Sequence, residues 1–246
     1  MAISVNKLIY DFYRKLNSQN SGGGKKYAIA DAVAYLNEAQ EIWFENKVAA
    51  TDENSKIRND LRKFKEIKKC FDCVEVDCDC CRMEYPKDYY KRLNQDVLAC
   101  NTECCGNIEK NICIDMPQSD DIKAARKDEV TKSDFKWERV IGDEAQNYLY
   151  IYHDGEMEIK QVCIDYYRKP KRIEAPELVK CRAGYEDPDG IKILQNQDFE
   201  VCETFANRDV TDIAVLLASR DSKDIESINT QLQKILQLNR LYRRVL

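Results

Sequence analysis

The residue pattern predicts an α+β fold: a helical bundle built from N- and C-terminal helices, with a β-rich, sandwich-like domain inserted between them. Three observations predict it. Apolar residues recur at spacings of three and four over residues 29–43 and again over 225–238. Between those stretches the pattern shifts to period two, most clearly at Tyr148 to His153. The order is thus helices, strands, helices, and terminal helices that flank a β segment can meet in space. The implied divisions are residues 1–66, 67–205 and 206–246.

Taken in order, Ile3, Leu8, Ile9, Phe12 and Leu16 suit a short first helix. Ser18 to Gly24, with its three glycines, reads as a flexible connector that would let this helix dock on a neighbouring subunit. A second helix runs from about Tyr27 to Ala49. Ile29, Ala32, Val33, Leu36, Ala39, Gln40 and Trp43 lie on one stripe; Asp31, Asn37, Glu38, Glu41 and Glu45 occupy the other face. Thr51, Asp52 and Asn54 offer caps for a third helix carrying Ile57, Leu61 and Phe64.

Ile67 to Glu84 alternates unevenly and reads as extended structure compatible with a hairpin. Tyr85-Pro86 opens a short helical or turn segment with Tyr89, Tyr90 and Leu93, and 100–121 reads as loop with short strands. Tyr148 to His153 is a strand, Asp154-Gly155 a hairpin turn, and Glu156 to Tyr167 the returning strand. On that strand Met157 and Ile159 share one parity while Val162, Ile164 and Tyr166 share the other. A one-residue bulge near Lys160-Gln161 reconciles them. Val210, Ile213, Ala214 and Leu217 form a helical stripe. Ile225, Ile228, Leu232, Ile235 and Leu238 form the last, with Asp221 or Ser222 as its cap.

The chain has 246 residues, 43% hydrophobic and 34% charged, with a formal net charge of −5. Such a balance excludes a global electrostatic grip on DNA or on an anionic membrane. No run of eighteen apolar residues occurs, and the N-terminal stretch does not have the form of a secretory signal, so a cytosol-like compartment is expected. Seven bases lie between Lys56 and Lys69. They read as a solvated face or a bridge to an acidic neighbouring subunit.

Nine of the twelve cysteines lie between 70 and 113. Reduced, buried thiols are the first expectation for that compartment; zinc ligation and disulfides are the alternatives. Cys70-x-x-Cys73 with Cys78, Cys80 and Cys81 has some metal-ligand character, and Cys100, Cys104 and Cys105 could supply a second pair. Adjacent strand residues point to opposite faces, however, which suits a zinc knuckle poorly. A redox Cys-x-x-Cys needs a helix N-terminus, which this stretch does not offer. His153 is the single histidine and flanks a turn, so no Ser-His-Asp or Cys-His arrangement is indicated. The glycines at 22–24 lack the context of a phosphate-binding loop. No enzyme and no cofactor are expected.

Several segments resemble head-to-tail adaptor and tail-tubular-protein-A-like ring subunits of tailed bacteriophages, nearest to ring proteins of crAss-like phages. The helix from Ile29 to Gln40, with Leu36-Asn37-Glu38-Ala39, is similar to a helix of that family. Tyr85-Pro86-Lys87-Asp88-Tyr89-Tyr90 resembles its lead into the β region. Leu149 to Tyr152 and Ile164 to Pro170 resemble its closing strands, and Ala214 to Arg220 its returning helix. The cysteine cluster departs from the family pattern. The resemblance implies a virion neck protein assembled in the host cytoplasm, forming a homo-oligomeric ring, commonly of twelve copies. It further implies contacts with the portal and with other neck or tail rings, and genomic DNA passing through the lumen without sequence recognition. The residues that would carry such contacts are Leu8 and Phe12, Trp43, Tyr150 and Tyr152, and Lys169. The competing expectation is a cysteine-rich zinc-binding module for nucleic acid or protein.

Overall fold

The computed structural model describes residues 4–19, 27–52, 60–101, 108–118, 120–178, 185–186, 192–193, 199–201 and 206–221. The chain divides into two compact units, Phe64–Lys169 and the remainder, Met1–Lys63 with Pro170–Leu246.

In the second of these, helix α1 spans Val5–Gln19 and helix α2 spans Ile29–Ala49. Val5, Leu8, Ile9, Phe12 and Leu16 recur at helical spacing, and all five are buried. Asp31 accepts a hydrogen bond from the Ala28 N–H at the start of α2 (3.1 Å). A further helix of this unit, Thr211–Asp221, follows a π-helical turn at Ala206–Val210. Lys15 donates to Thr211 and to Asp212 (2.8 Å to the carboxylate), and the Tyr27 hydroxyl donates to the Ala218 carbonyl at 2.7 Å. These bonds tie the N-terminal helices to the chain's returning segment.

Strands of the Phe64–Lys169 unit are β1 (Lys65–Asp72), β2 (Val74–Asp77), β3 (Cys80–Glu84), β4 (Tyr89–Asn101), β5 (Glu109–Asp115), β6 (Val140–Ala145), β7 (Tyr148–Tyr152) and β8 (Met157–Arg168). A single helical turn, α3 (Ile122–Ala125), lies between β5 and β6. All eight strands belong to one sheet, in the order β1-β8-β4-β5-β6-β7-β3-β2. Every pairing is antiparallel except β5 with β6, so the sheet is mixed. β1 and β2 stand at opposite ends of this order, yet Cys73 alone separates them in sequence. The sheet must therefore curl to bring its ends to one bent strand. Its buried hydrophobic core includes Met83, Val97, Ile112, Leu149, Ile151 and Val162.

The expected helical bundle with an inserted sandwich-like domain is thereby overturned. The chain is mostly an eight-stranded, curled, mixed sheet, a half-barrel, with only a few helices. A sandwich requires two sheets packed face to face. Here the parallel pair Ile114↔Val140 and Asp115↔Ile141 joins both halves into one sheet. The third helix shrinks to a single turn at Arg62–Phe64 before β1 begins, and residues 53–59 lie outside the described set. Tyr89 and Leu93, expected in a helical or turn segment, belong to the 13-residue strand β4. The final helix expected at 225–242 also lies outside the described residues.

The strand ends at Tyr152 and Met157 and the positive φ of Gly155 (80°) agree with the predicted turn. The hairpin does not form: β7 pairs with β6 and β3, while β8 pairs with β1 and β4. Asp154 accepts hydrogen bonds from the N–H groups of Glu156, Met157 and Phe135, so the turn launches the chain to the other part of the sheet. The bulge does form where the parity argument puts it. Leu98 faces Gln161 and Ala99 faces Ile159, leaving Lys160 as the extra residue.

Candidate functional site

Leu8, Phe12 and Trp43 are buried inside the chain, at 0%, 0% and 3% exposure. The apolar stripe of α1 is therefore spent on the chain's own core, not held out for a neighbouring ring. Tyr150 and Tyr152 are half-buried on β7, on the strand face opposite Leu149 and Ile151, which are in the core. Their row is covered by guanidinium groups: Arg82 lies over Tyr148 (4.9 Å to the centroid) and Arg126 over Tyr152 (4.1 Å). Lys169 is exposed, and its N–H donates to the Asp88 carbonyl at 2.7 Å.

A recess of about 540 Å³ lies beside this row, lined in part by Asp79, Lys123, Arg126, Lys127, Lys132 and His153. Its chemistry is mostly structural. Arg126 is ion-paired with Asp79 at 2.7 Å. Ser133 donates to the Tyr152 carbonyl and accepts from the Ile141 N–H. His153 Nδ1 accepts from the Gly155 N–H at 3.3 Å. The hydroxyl thus serves backbone groups of β6 and β7, and the imidazole serves one of the turn.

A second cluster was not foreseen as a unit. Tyr85 stacks on Tyr89 (centroids 4.1 Å apart), and Tyr89 lies 5.6 Å from Tyr166. The Tyr85 hydroxyl donates to Glu144 at 2.7 Å, which is also ion-paired with Arg92 at 2.8 Å; Tyr166 donates to Asp88 at 3.1 Å. Burial, with carboxylates close by, holds the Tyr85 and Tyr166 phenols well above their ordinary range.

Four of the eight described cysteines depart from the first expectation of reduced thiols, while Cys78, Cys80, Cys100 and Cys113 are free. Cys70 is disulfide-bonded to Cys163, its direct partner across β1 and β8, and Cys73 is bonded to Cys81. Cys70 and Cys73, spaced as a redox pair, are thus bonded to other partners, and they lie on β1 and at the bend after it rather than at a helix. Three thiols on which a zinc site would draw are engaged. Among the described residues no group of three His, Cys, Asp or Glu side chains is placed to hold a metal ion. Burial pushes the free Cys80 thiol upward, which keeps it protonated and poorly nucleophilic. Cys104, Cys105, Cys181, Cys202 and the connector at 22–24 lie outside the described residues.

Both disulfides sit at the seam where β1 passes into β2. Among the described residues β1 is bonded only to β8 and β2 only to β3, so each has one open edge there. Ile67 on β1 is 59% exposed, and Val74 and Val76 on β2 are 61% and 45% exposed. Unpaired edge strands bearing exposed β-branched residues are templates for another chain. The chain matches no family model and no curated protein.

Proposed function

We propose that this protein is a non-enzymatic structural subunit of a phage head-to-tail connector ring, part of the channel through which DNA passes. The observation that carries the reading is the pair of open sheet edges with exposed Ile67, Val74 and Val76. The free main-chain groups of such an edge can add a strand from a neighbour, and here the edges carry charges of opposite sign, Lys65, Lys68 and Lys69 on β1 against Glu75 and Asp77 on β2. Burying one Val or Ile side chain at an interface contributes roughly 1.5–3 kcal/mol, before the cost of association. A net charge of −5 suits a channel wall, because a lumen that conducts DNA should not hold it tightly.

Native mass measurement of the full chain, with negative-stain images of the same sample, tests the reading. Closed rings of a fixed copy number are expected. A chain that stays monomeric up to its solubility limit and shows no rings overturns it.

A further inference from the structure

β1 and β2 are two halves of one strand bent at Cys73, and among the described residues each half is hydrogen-bonded along one flank only. β8 joins the first half and β3 joins the second, and these two strands lie at opposite ends of the remaining sheet. Going around the curl in one sense, β1 is therefore open on its trailing flank and β2 on its leading flank. The open edges of a single copy face opposite ways.

Their charges are opposite too. β1 carries Lys65, Lys68 and Lys69 around the exposed Ile67. Its one early acid, Glu66, is already engaged by Arg168 at 3.2 Å and Lys69 at 3.4 Å. β2 reads Val74-Glu75-Val76-Asp77 and has no base, and all four residues are exposed. The basic run singled out in the sequence thus ends on one open edge, and an acidic edge follows it within a few residues.

We infer that the β2 edge of one copy adds to the β1 edge of the next, so that the subunits join head to tail by a shared sheet. The occupant of each edge is a second copy of this chain, because the complementary edge is carried by the chain itself. A bulge at Val76 turns Glu75 and Asp77 to opposite faces, where they meet the lysines of β1, Lys65 and Lys68 on one face and Lys69 on the other. A contact between two different patches of identical subunits is heterologous; it repeats from copy to copy and closes into a ring when the rotation allows. Main-chain hydrogen bonds hold the added strand, and the charges set direction and register. This rests on the ring reading for closure, but the pairing of edges is a separate claim.

The test uses the full chain, mixed from light and isotopically heavy preparations and joined with a zero-length carbodiimide, which couples lysine amines to touching carboxylates. Mixed-isotope peptides linking Lys65, Lys68 or Lys69 to Glu75 or Asp77 are expected. Two charge-reversed variants complete it, Lys65→Glu with Lys68→Glu, and Glu75→Lys with Asp77→Lys, each checked for folding by circular dichroism. Each variant alone has two like-charged edges and should lose assembly at concentrations where the unmodified chain assembles. An equimolar mixture should regain it. Rings that persist in both variants, or a mixture of folded variants that stays apart, overturn the edge pairing while leaving the ring reading in place. Open chains that carry the expected cross-links and the rescue, but never close, uphold the pairing and overturn the ring.

Discussion

Asn37, midway along α2, holds the backbone of Ile173 at both ends. Its Nδ2 donates to the Ile173 carbonyl at 2.9 Å, and its Oδ1 accepts from the Ile173 N–H at 2.7 Å. Both residues are buried. Gln40, one turn on, donates to the Lys171 carbonyl at 2.8 Å. The side-chain amides thus do for the segment after β8 what a neighbouring strand would do, by satisfying main-chain groups away from water.

Replacing Asn37 by Ala strands a donor and an acceptor in the interior, each costing about 1–3 kcal/mol. Asn37→Ala should therefore lower unfolding stability by about 2–4 kcal/mol in urea titrations, given partial relaxation. Glu38→Ala, on the exposed side of the same helix, should stay within about 0.5 kcal/mol of the parent. Equal midpoints for the two variants would show that Asn37 is not a structural clamp.

Asn37 also marks where sequence reading stops. Helical periodicity located α1 and α2 and named much of their buried stripe, because burial leaves a spacing of three and four. It assigned Asn37 to the solvated face, since an amide that bonds a distant backbone leaves no mark in local spacing. The β region shows the same division. Parity located β7, β8 and the bulge at Lys160, which are local properties. It joined β7 to β8 as a hairpin, because a turn residue says where the chain reverses and not which strand it meets. The open edges were illegible for that reason: edge status depends on strand order, and strand order is non-local.

α1 contributes to the chain's own core through Phe12, which has no exposed surface and stacks on Tyr35 (ring centroids 6.4 Å apart). Truncating a buried Phe costs about 3–5 kcal/mol. Phe12→Ala should lower Tm markedly. Deleting residues 1–20, which removes five buried apolar side chains and the Lys15 bonds, should abolish cooperative melting of the helical segments by circular dichroism. A deleted chain that melts as the parent does would return α1 to the role of a docking arm.

The phenols of Tyr85, Tyr89 and Tyr166 make the fold sensitive to alkali. Burial raises each above the ordinary tyrosine value, most strongly at Tyr85. A raised acid means that the folded state keeps protons which the unfolded state releases. Stability is then fully present below about pH 10 and falls as pH climbs beyond it. Unfolding midpoints measured from pH 8 to pH 11 should fall steeply above about pH 10. The drop should be shallower in Tyr85→Phe. If Tyr85→Phe follows the parent curve, the phenol is not what alkali attacks.

Gly142 on β6 leaves no room for a side chain. A methyl group there would stand 2.6 Å from both Ile114 Cγ2 and Met116 Sδ. Met116 can swing away, but Ile114 is a buried β-branched residue on a paired strand, with few alternatives. Gly142→Ala should destabilise by about 1–3 kcal/mol, the usual range for overpacking. A double variant, Gly142→Ala with Ile114→Val, should recover part of that loss. No recovery would place the strain in the backbone instead of in the contact with Ile114.

The seam makes the last prediction. Cys70 and Cys163 are 93 residues apart, so their bond closes nearly the whole sheet into one covalent loop. A cross-link of that span removes about 4–5 kcal/mol of unfolded-state entropy in the loop model, although measured effects commonly run nearer 2–4 kcal/mol. The bond also ties β1, with its open edge, to β8. The double variant Cys70→Ser with Cys163→Ser should therefore unfold at a clearly lower urea concentration than the oxidised parent, and reductant should move the parent toward it. The Cys73–Cys81 bond closes a loop of only eight residues, and the same model gives it a smaller stabilisation. Cys73→Ser with Cys81→Ser should lower the midpoint less. If the short loop matters more than the long one, anchoring the bend between β1 and β2 outweighs loop entropy. The seam would then be held by native-state geometry rather than by restriction of the unfolded chain.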